Sequence, residues 1–195
     1  MEKGAIISDC SKYRYSLWRI WDKEKPMFSF IGLNPSTADH IQDDPTITRC
    51  INLAKSWGGG GIYMANLFAY RATDPQEMMS QEDPIGSDND FYLSEIASKS
   101  QRIIACWGNN GGYQQRSSTV KELLKGKLYY LELNKTGEPK HPLYRHATHE
   151  LTFSYTNNQR LRVLDDNQEQ LFATHKLSFL YSMYSNACIK CFKKN

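Results

Sequence analysis

The sequence predicts an α/β protein of three layers, αβα. A central, mainly parallel four-stranded sheet is joined by an N-terminal antiparallel strand and a C-terminal extension. Three observations predict it. Short apolar runs alternate with amphipathic stretches four times over, and such alternation implies a parallel sheet with helices on both faces. Most of the runs are nearly continuous, as in strands buried on both sides. The 195 residues, 40% hydrophobic and 23% charged, are enough for one globular domain with a real core and no need of disulfides.

The elements follow in order. Residues 13–21 alternate aromatic and aliphatic with polar residues, as in a half-buried strand, until Lys25-Pro26 breaks the pattern. Residues 27–33 form a buried strand, and the two are expected to pair antiparallel. Asp44-Pro45 starts a helix: the carboxylate caps free N–H groups and proline suits the first helical position. Ile47, Cys50, Ile51 and Ala54 give that helix one apolar face, and the glycines from Gly58 to Gly61 end it. A strand follows at 62–68, then a helix over 89–98 capped by Asp88. A third core strand spans 102–107, and after the loop 108–112 a helix at 115–124 leads to a fourth strand at 128–133. Residues 1–149 are read as the α/β domain and 150–195 as an extension packed on it, with a hairpin at 151–155 and 161–164 and a helix at 168–184.

Composition excludes several classes. No apolar run approaches the roughly 20 residues needed to cross a bilayer, and the N-terminus is too short and acidic for a signal peptide. Five cysteines, an odd number, argue against a disulfide framework and for a reducing cytoplasm. The net charge of +3 does not by itself indicate nucleic acid. The chain carries no acidic residue after Glu169 but retains Lys176, Lys190, Lys193 and Lys194, a tail that suits phosphates or simply solvent. Cys188 and Cys191 form a C-x-x-C pair with no second pair, so no metal site and no cofactor is expected. No phosphate loop, Ser-His-Asp set or zinc deaminase pattern is present.

Four segments bear polar residues just after strands, where ligands sit in such folds. Gly32-Leu33-Asn34-Pro35-Ser36-Thr37-Ala38-Asp39 places an amide that can orient water but cannot deprotonate it. Asn66 ends an apolar strand with a donor and an acceptor suited to the edge of a base. Cys106-Trp107-Gly108 ends the third core strand. His141-Pro142 follows the fourth strand, where an imidazole can donate to a charge developing on a leaving group. Taken singly, each also has an ordinary structural reading: a turn, a loop cap, a core strand, a loop histidine.

In this order, Gly32-Leu33-Asn34-Pro35, Met64-Ala65-Asn66, Cys106-Trp107-Gly108 and His141-Pro142 resemble the uracil-DNA glycosylase superfamily, over roughly residues 27–145. The longer motifs, Asn66 to Thr73 and His141 to Tyr144 among them, resemble a bacterial and phage family of unknown function within or near that superfamily. The resemblance implies a uracil-DNA glycosylase-like fold and a monofunctional DNA glycosylase that flips a damaged or modified base and hydrolyses its N-glycosidic bond. Asn34 would position water and His141 would stabilise the departing base; one of the nearby Asp39, Asp43 and Asp44 would supply the carboxylate missing at 34, with Asp44 read first as the helix cap. Asn66, with Gly32, Pro35 and Tyr70, would hold the base. Ser36, Thr37, Arg71, Lys140, Leu143, Tyr144 and Arg145 would meet DNA, with Leu143 or Tyr144 filling the gap in the duplex. The sequence departs from the superfamily pattern in having Leu143 after His-Pro and Asn34 in place of aspartate. No aromatic residue directly follows the first motif to stack on the base. A base-binding module without catalysis and an N-glycosidase for free nucleosides or nucleotides remain alternatives; DNA is the expected partner.

Overall fold

The computed structural model describes residues 1–144 and the pair Thr152–Phe153. Among the described residues seven strands form one sheet in the order β1-β2-β4-β3-β5-β6-β7. These are β1 (Glu2–Ile7), β2 (Arg14–Ile20), β3 (Met27–Gly32), β4 (Gly61–Asn66), β5 (Arg102–Ala105), β6 (Leu128–Tyr130) and β7 (Thr152–Phe153). β3 lies parallel to both β4 and β5, and β5 parallel to β6. β1, β2 and β7 are antiparallel to their neighbours. The sheet is therefore mixed, with a parallel centre of four strands as the alternation of runs predicts. The helices are α1 (Pro45–Ser56), α2 (Pro75–Met79), α3 (Asn89–Ser98) and α4 (Arg116–Leu123). No helix among the described residues is long and apolar enough to cross a membrane.

The period of two along the central strands divides the core. Phe28, Phe30, Ile62, Met64, Ile104 and Cys106 pack with Ile47, Cys50, Ile51 and Ala54 of α1. Their alternating neighbours Ile31, Ala65, Ile103 and Ala105 pack with Leu93 and Ile96 of α3 and Val120 of α4. Helices thus cover both faces. Burial of this kind contributes about 25 cal/mol per Å² of apolar surface.

α1 begins where Asp44-Pro45 places it. The Asp44 carboxylate accepts the Ile47 N–H at 2.8 Å, and Pro45 holds the first helical position. Asp44→Ala is expected to cost about 1 kcal/mol, read as a lower denaturant midpoint at unchanged slope.

Four local expectations are corrected. The 14–20 strand does not pair with β3, because β4 and β5 occupy both edges of β3; it docks on the free edge of β4 and on β1, a strand the sequence did not reveal. Nor is β2 half-buried: Arg14, Ser16 and Arg19 are buried along with Tyr15 and Leu17. Arg19 is fully buried because its guanidinium ties down the 39–43 loop, donating to Asp39 O at 2.6 Å, Gln42 O at 3.1 Å and the Asp43 carboxylate at 2.6 Å. Asp88 precedes α3 but makes no side-chain cap; its carboxylate accepts from the Ser87 hydroxyl instead. The loop 108–112 runs into 3-10 turns over Asn109–Gln115. Of the expected hairpin at 151–155, only Thr152–Phe153 is described; the rest of 150–195, with its helix and Cys188 and Cys191, lies outside the described residues.

Candidate functional site

The four parallel strands run β4-β3-β5-β6, so the chain leaves β3 toward one edge and later crosses back to the other. Ligands in open α/β sheets bind outside the carboxyl ends at such a reversal. A cavity of about 220 Å³ opens there, lined by Gly32 at the end of β3 and Asn34 just after it, Asn66 at the end of β4, Trp107 after β5, and His141. Its volume falls below the roughly 300–1,000 Å³ of drug-sized sites, so it suits a single ring system.

The Asn34 amide is held in one orientation. Nδ2 donates to Ala72 O at 2.7 Å and to Pro35 O at 3.2 Å. Both acceptors are carbonyls, so the nitrogen must face them and Oδ1 remains as the group able to accept from a ligand or water.

Asn66 is 2% exposed, and its Oδ1 accepts from Arg14 Nη2 at 3.3 Å. Its Nδ2 lies over Gly32, where an added Cβ would come within 2.8 Å of Nδ2 and of Met64 Cε. A side chain at 32 would displace the Asn66 amide or Met64, and glycine leaves that amide its room.

His141 precedes the 3-10 turn Pro142–Tyr144, and its Nδ1 accepts the Leu143 N–H at 3.4 Å. That bond assigns the remaining hydrogen to Nε2. Burial lowers the imidazole pKa below its ordinary 6.5, against the opposing charge of Asp44, so the ring is neutral at pH 7.

Trp107 is 2% exposed, with Nε1 donating to the Glu138 carboxylate at 2.6 Å. Burial works against ionisation of Glu138, but hydrogen bonds from Trp107, Ser117 and Lys121 outweigh it and lower its pKa. Among the described residues that line the cavity, Trp107 is the one with a large aromatic side chain, a residue the sequence did not assign to base stacking. Cys106 is not a nucleophile: burial pushes its thiol up to about 12.

Three residues expected in the site, Asp39, Tyr70 and Pro35, stand outside the cavity wall. Asp39 is not in the cavity wall; its Oδ1 accepts the Ile41 and Gln42 N–H groups at 2.7 and 2.8 Å, closing a turn, and those bonds lower its pKa. The carboxylate that does line the cavity is Asp44, which caps α1 at the same time. Tyr70 is not in the cavity either. It packs edge-on against Tyr13 in an adjoining shallow groove of about 510 Å³.

That groove takes in three of the seven residues expected to meet DNA. Ser36, Thr37, Tyr70 and Arg71 line it with Lys12, and it shares Ser36, Ala72 and Thr73 with the cavity. Pro35 is buried and serves through its carbonyl, which accepts from Ala72 N and Asn34. Lys140 pairs with Glu132 and lines neither space. Leu143 is half-buried beside His141, Tyr144 closes the 3-10 turn, and Arg145 lies outside the described residues.

Sequence reasoning missed Arg14 altogether. It lies on β2, is 2% exposed, lines the cavity, and donates to Ala38 O at 2.7 Å as well as to Asn66. Burial draws its pKa down to about 10, so it is charged at neutral pH. The one available signal was an arginine among aromatic residues on a strand, which reads equally as a solvent-facing position.

A family model described as a protein of unknown function (DUF1643) matches residues 14–143. No curated protein and no solved structure matches the chain.

Proposed function

The chain belongs to the DUF1643 family, and we propose that its matched segment is a DNA glycosylase with a uracil-DNA glycosylase-like αβα fold, acting without a cofactor. The observation that carries this reading is the convergence of Asn34, Asn66 and a neutral His141 on one ring-sized cavity at the carboxyl ends of the central strands. The adjoining groove with Lys12 and Arg71 supports DNA over a free nucleoside, since cations beside the pocket suit backbone phosphates.

In this reading the target nucleotide leaves the stack and its base enters the cavity. Asn34 Oδ1 accepts a hydrogen from water and aims its oxygen at C1′ of the sugar. The C1′–N bond breaks and its electron pair departs with the base. His141 Nε2–H and Asn66 Nδ2 donate to that developing negative charge, which is where fixed dipoles contribute most. The sugar passes through a cationic, oxocarbenium-like state, and the Asp44 carboxylate supplies compensating charge from the cavity wall. Water adds to C1′, its surplus proton passes to the departed base anion, and an abasic site and a neutral free base remain. Among the described residues no lysine lines the cavity, and the proposed reaction contains no Schiff-base strand-cleavage step.

One observation favours a second reading, a base-binding module without catalysis. Asn34 cannot deprotonate water, and the Asp44 carboxylate is already engaged by Ile47 N–H.

Duplex and single-stranded DNA carrying uracil, mismatched thymine, or hydroxymethylated or glycosylated pyrimidines, treated with hot alkali after incubation, separates the two readings. Cleavage at one base, reduced about 10²-fold by Asn34→Ala with DNA binding intact, is the expected result. Salt-dependent binding with no abasic product across the panel would establish the recognition module instead.

A further inference from the structure

We propose that Arg14 is a positioning residue that locks the Asn66 amide with its NH2 end toward the cavity, so that the site selects a base presenting a carbonyl rather than an exocyclic amine to Asn66. The inference rests on the base-pocket reading above and deepens it.

A guanidinium has five N–H donors and no acceptor. Arg14 can therefore meet Asn66 only through Oδ1, as it does at 3.3 Å. Its other arm is fixed by Ala38 O at 2.7 Å, and its backbone N–H by Ala69 O at 2.9 Å, so the side chain does not swing to follow the amide. A flipped Asn66 would turn its NH2 against this buried cation and leave donors facing donors where neither reaches water. Gly32 leaves open the space over Nδ2, which an added Cβ would take.

A second observation ties Arg14 to the cavity itself. Its Nε is buried with no partner among the described residues, on a side chain that is 2% exposed and part of the cavity wall. Donors on the residues that line this cavity thus include Nδ2, the guanidinium and His141 Nε2–H. A carbonyl oxygen accepts from such a wall, whereas an amine brings another donor to it. The cation further polarises the amide it holds, which makes Nδ2 a stronger donor to an oxygen gaining negative charge.

The test uses the full chain and short single-stranded oligonucleotides bearing one 2′-fluoro-2′-deoxyuridine or one 2′-fluoro-2′-deoxycytidine, whose fluorine blocks hydrolysis. Fluorescence anisotropy should show the uridine probe bound at least about tenfold more tightly, the worth of one well-made hydrogen bond. Arg14→Met should bring the two probes to within about twofold, and Arg14→Lys, which keeps a charge and a donor, should restore part of the preference. A folded Arg14→Met protein with the wild-type preference overturns the proposal. So does a wild-type protein that binds both probes equally, an outcome that leaves the base pocket standing. Should Arg14→Met not fold, the wild-type ¹⁵N spectrum decides: the Asn66 side-chain NH2 signal shifts with the uridine probe alone, and equal shifts with both probes overturn the lock. Absence of binding to either probe removes the base-pocket reading, and this proposal with it.

Discussion

Replacing His141 by alanine is expected to slow abasic-site formation by about 10²–10³-fold while DNA affinity stays nearly unchanged, because the donor acts on charge that exists only as the base departs. The geometry makes the role specific. Nδ1 is occupied by the Leu143 N–H, so only Nε2–H is available to donate, and burial keeps the ring neutral at pH 7. A neutral donor matters here. Protonation of the ring would break the Leu143 contact and place a second cation in a cavity that already holds Arg14. Activity should therefore be level from pH 8 down to the ordinary histidine value of 6.5 and fall below it. Stability follows the same direction. The folded pKa is lowered, so the unfolded chain takes up the proton first; the contribution is whole above 6.5 and is lost as the pH falls through the lowered folded value. His141→Ala should flatten that part of the stability profile in chemical denaturation. A single-turnover rate within about threefold of wild type would remove His141 from the chemistry.

The second large effect is on the fold. Phe30→Ala is expected to cost about 3–5 kcal/mol. Phe30 is fully buried on β3, paired on both edges, and its ring stacks on Trp57 with centroids 6.1 Å apart. A truncation there opens a void between the sheet and α1 that close-packed neighbours cannot fill. At about 2–4 °C per kcal/mol for a domain of this size, the melting temperature should drop by roughly 6–20 °C in calorimetry. Phe91, 65% exposed on α3, is the control: its alanine variant should stay within about 0.5 kcal/mol of wild type. Equal effects at the two positions would mean that the sheet is not the centre of the core.

Much of this was legible in the chain because it depends on short-range chemistry. The parallel strands announce themselves as apolar runs, and the residues that interrupt them, Asn34, Asn66 and Trp107, fall at carboxyl ends because parallel strands all point one way. Asp44-Pro45 carried its capping geometry in two residues. Asp39 misled because proximity in sequence to Asn34 suggested proximity in the site; its carboxylate was instead claimed by the N–H groups two and three residues on. Tyr70 misled for a related reason, since the chain leaves the cavity within a few residues of Asn66 and places that ring against Tyr13.

The sequence by itself determined the parallel centre of the sheet, the helix it hands to Asp44, and the arrival of Asn34, Asn66 and His141 at one end. Those outcomes follow from hydrophobic period, capping and strand direction, each set within a few residues. Only the tertiary structure decided that β2 docks on β4, that Arg19 is buried to hold the 39–43 loop, and that Arg14 reaches an amide 52 residues away. A buried guanidinium is tolerable only where distant carbonyls and amides converge on it, and no local pattern records where those groups will be.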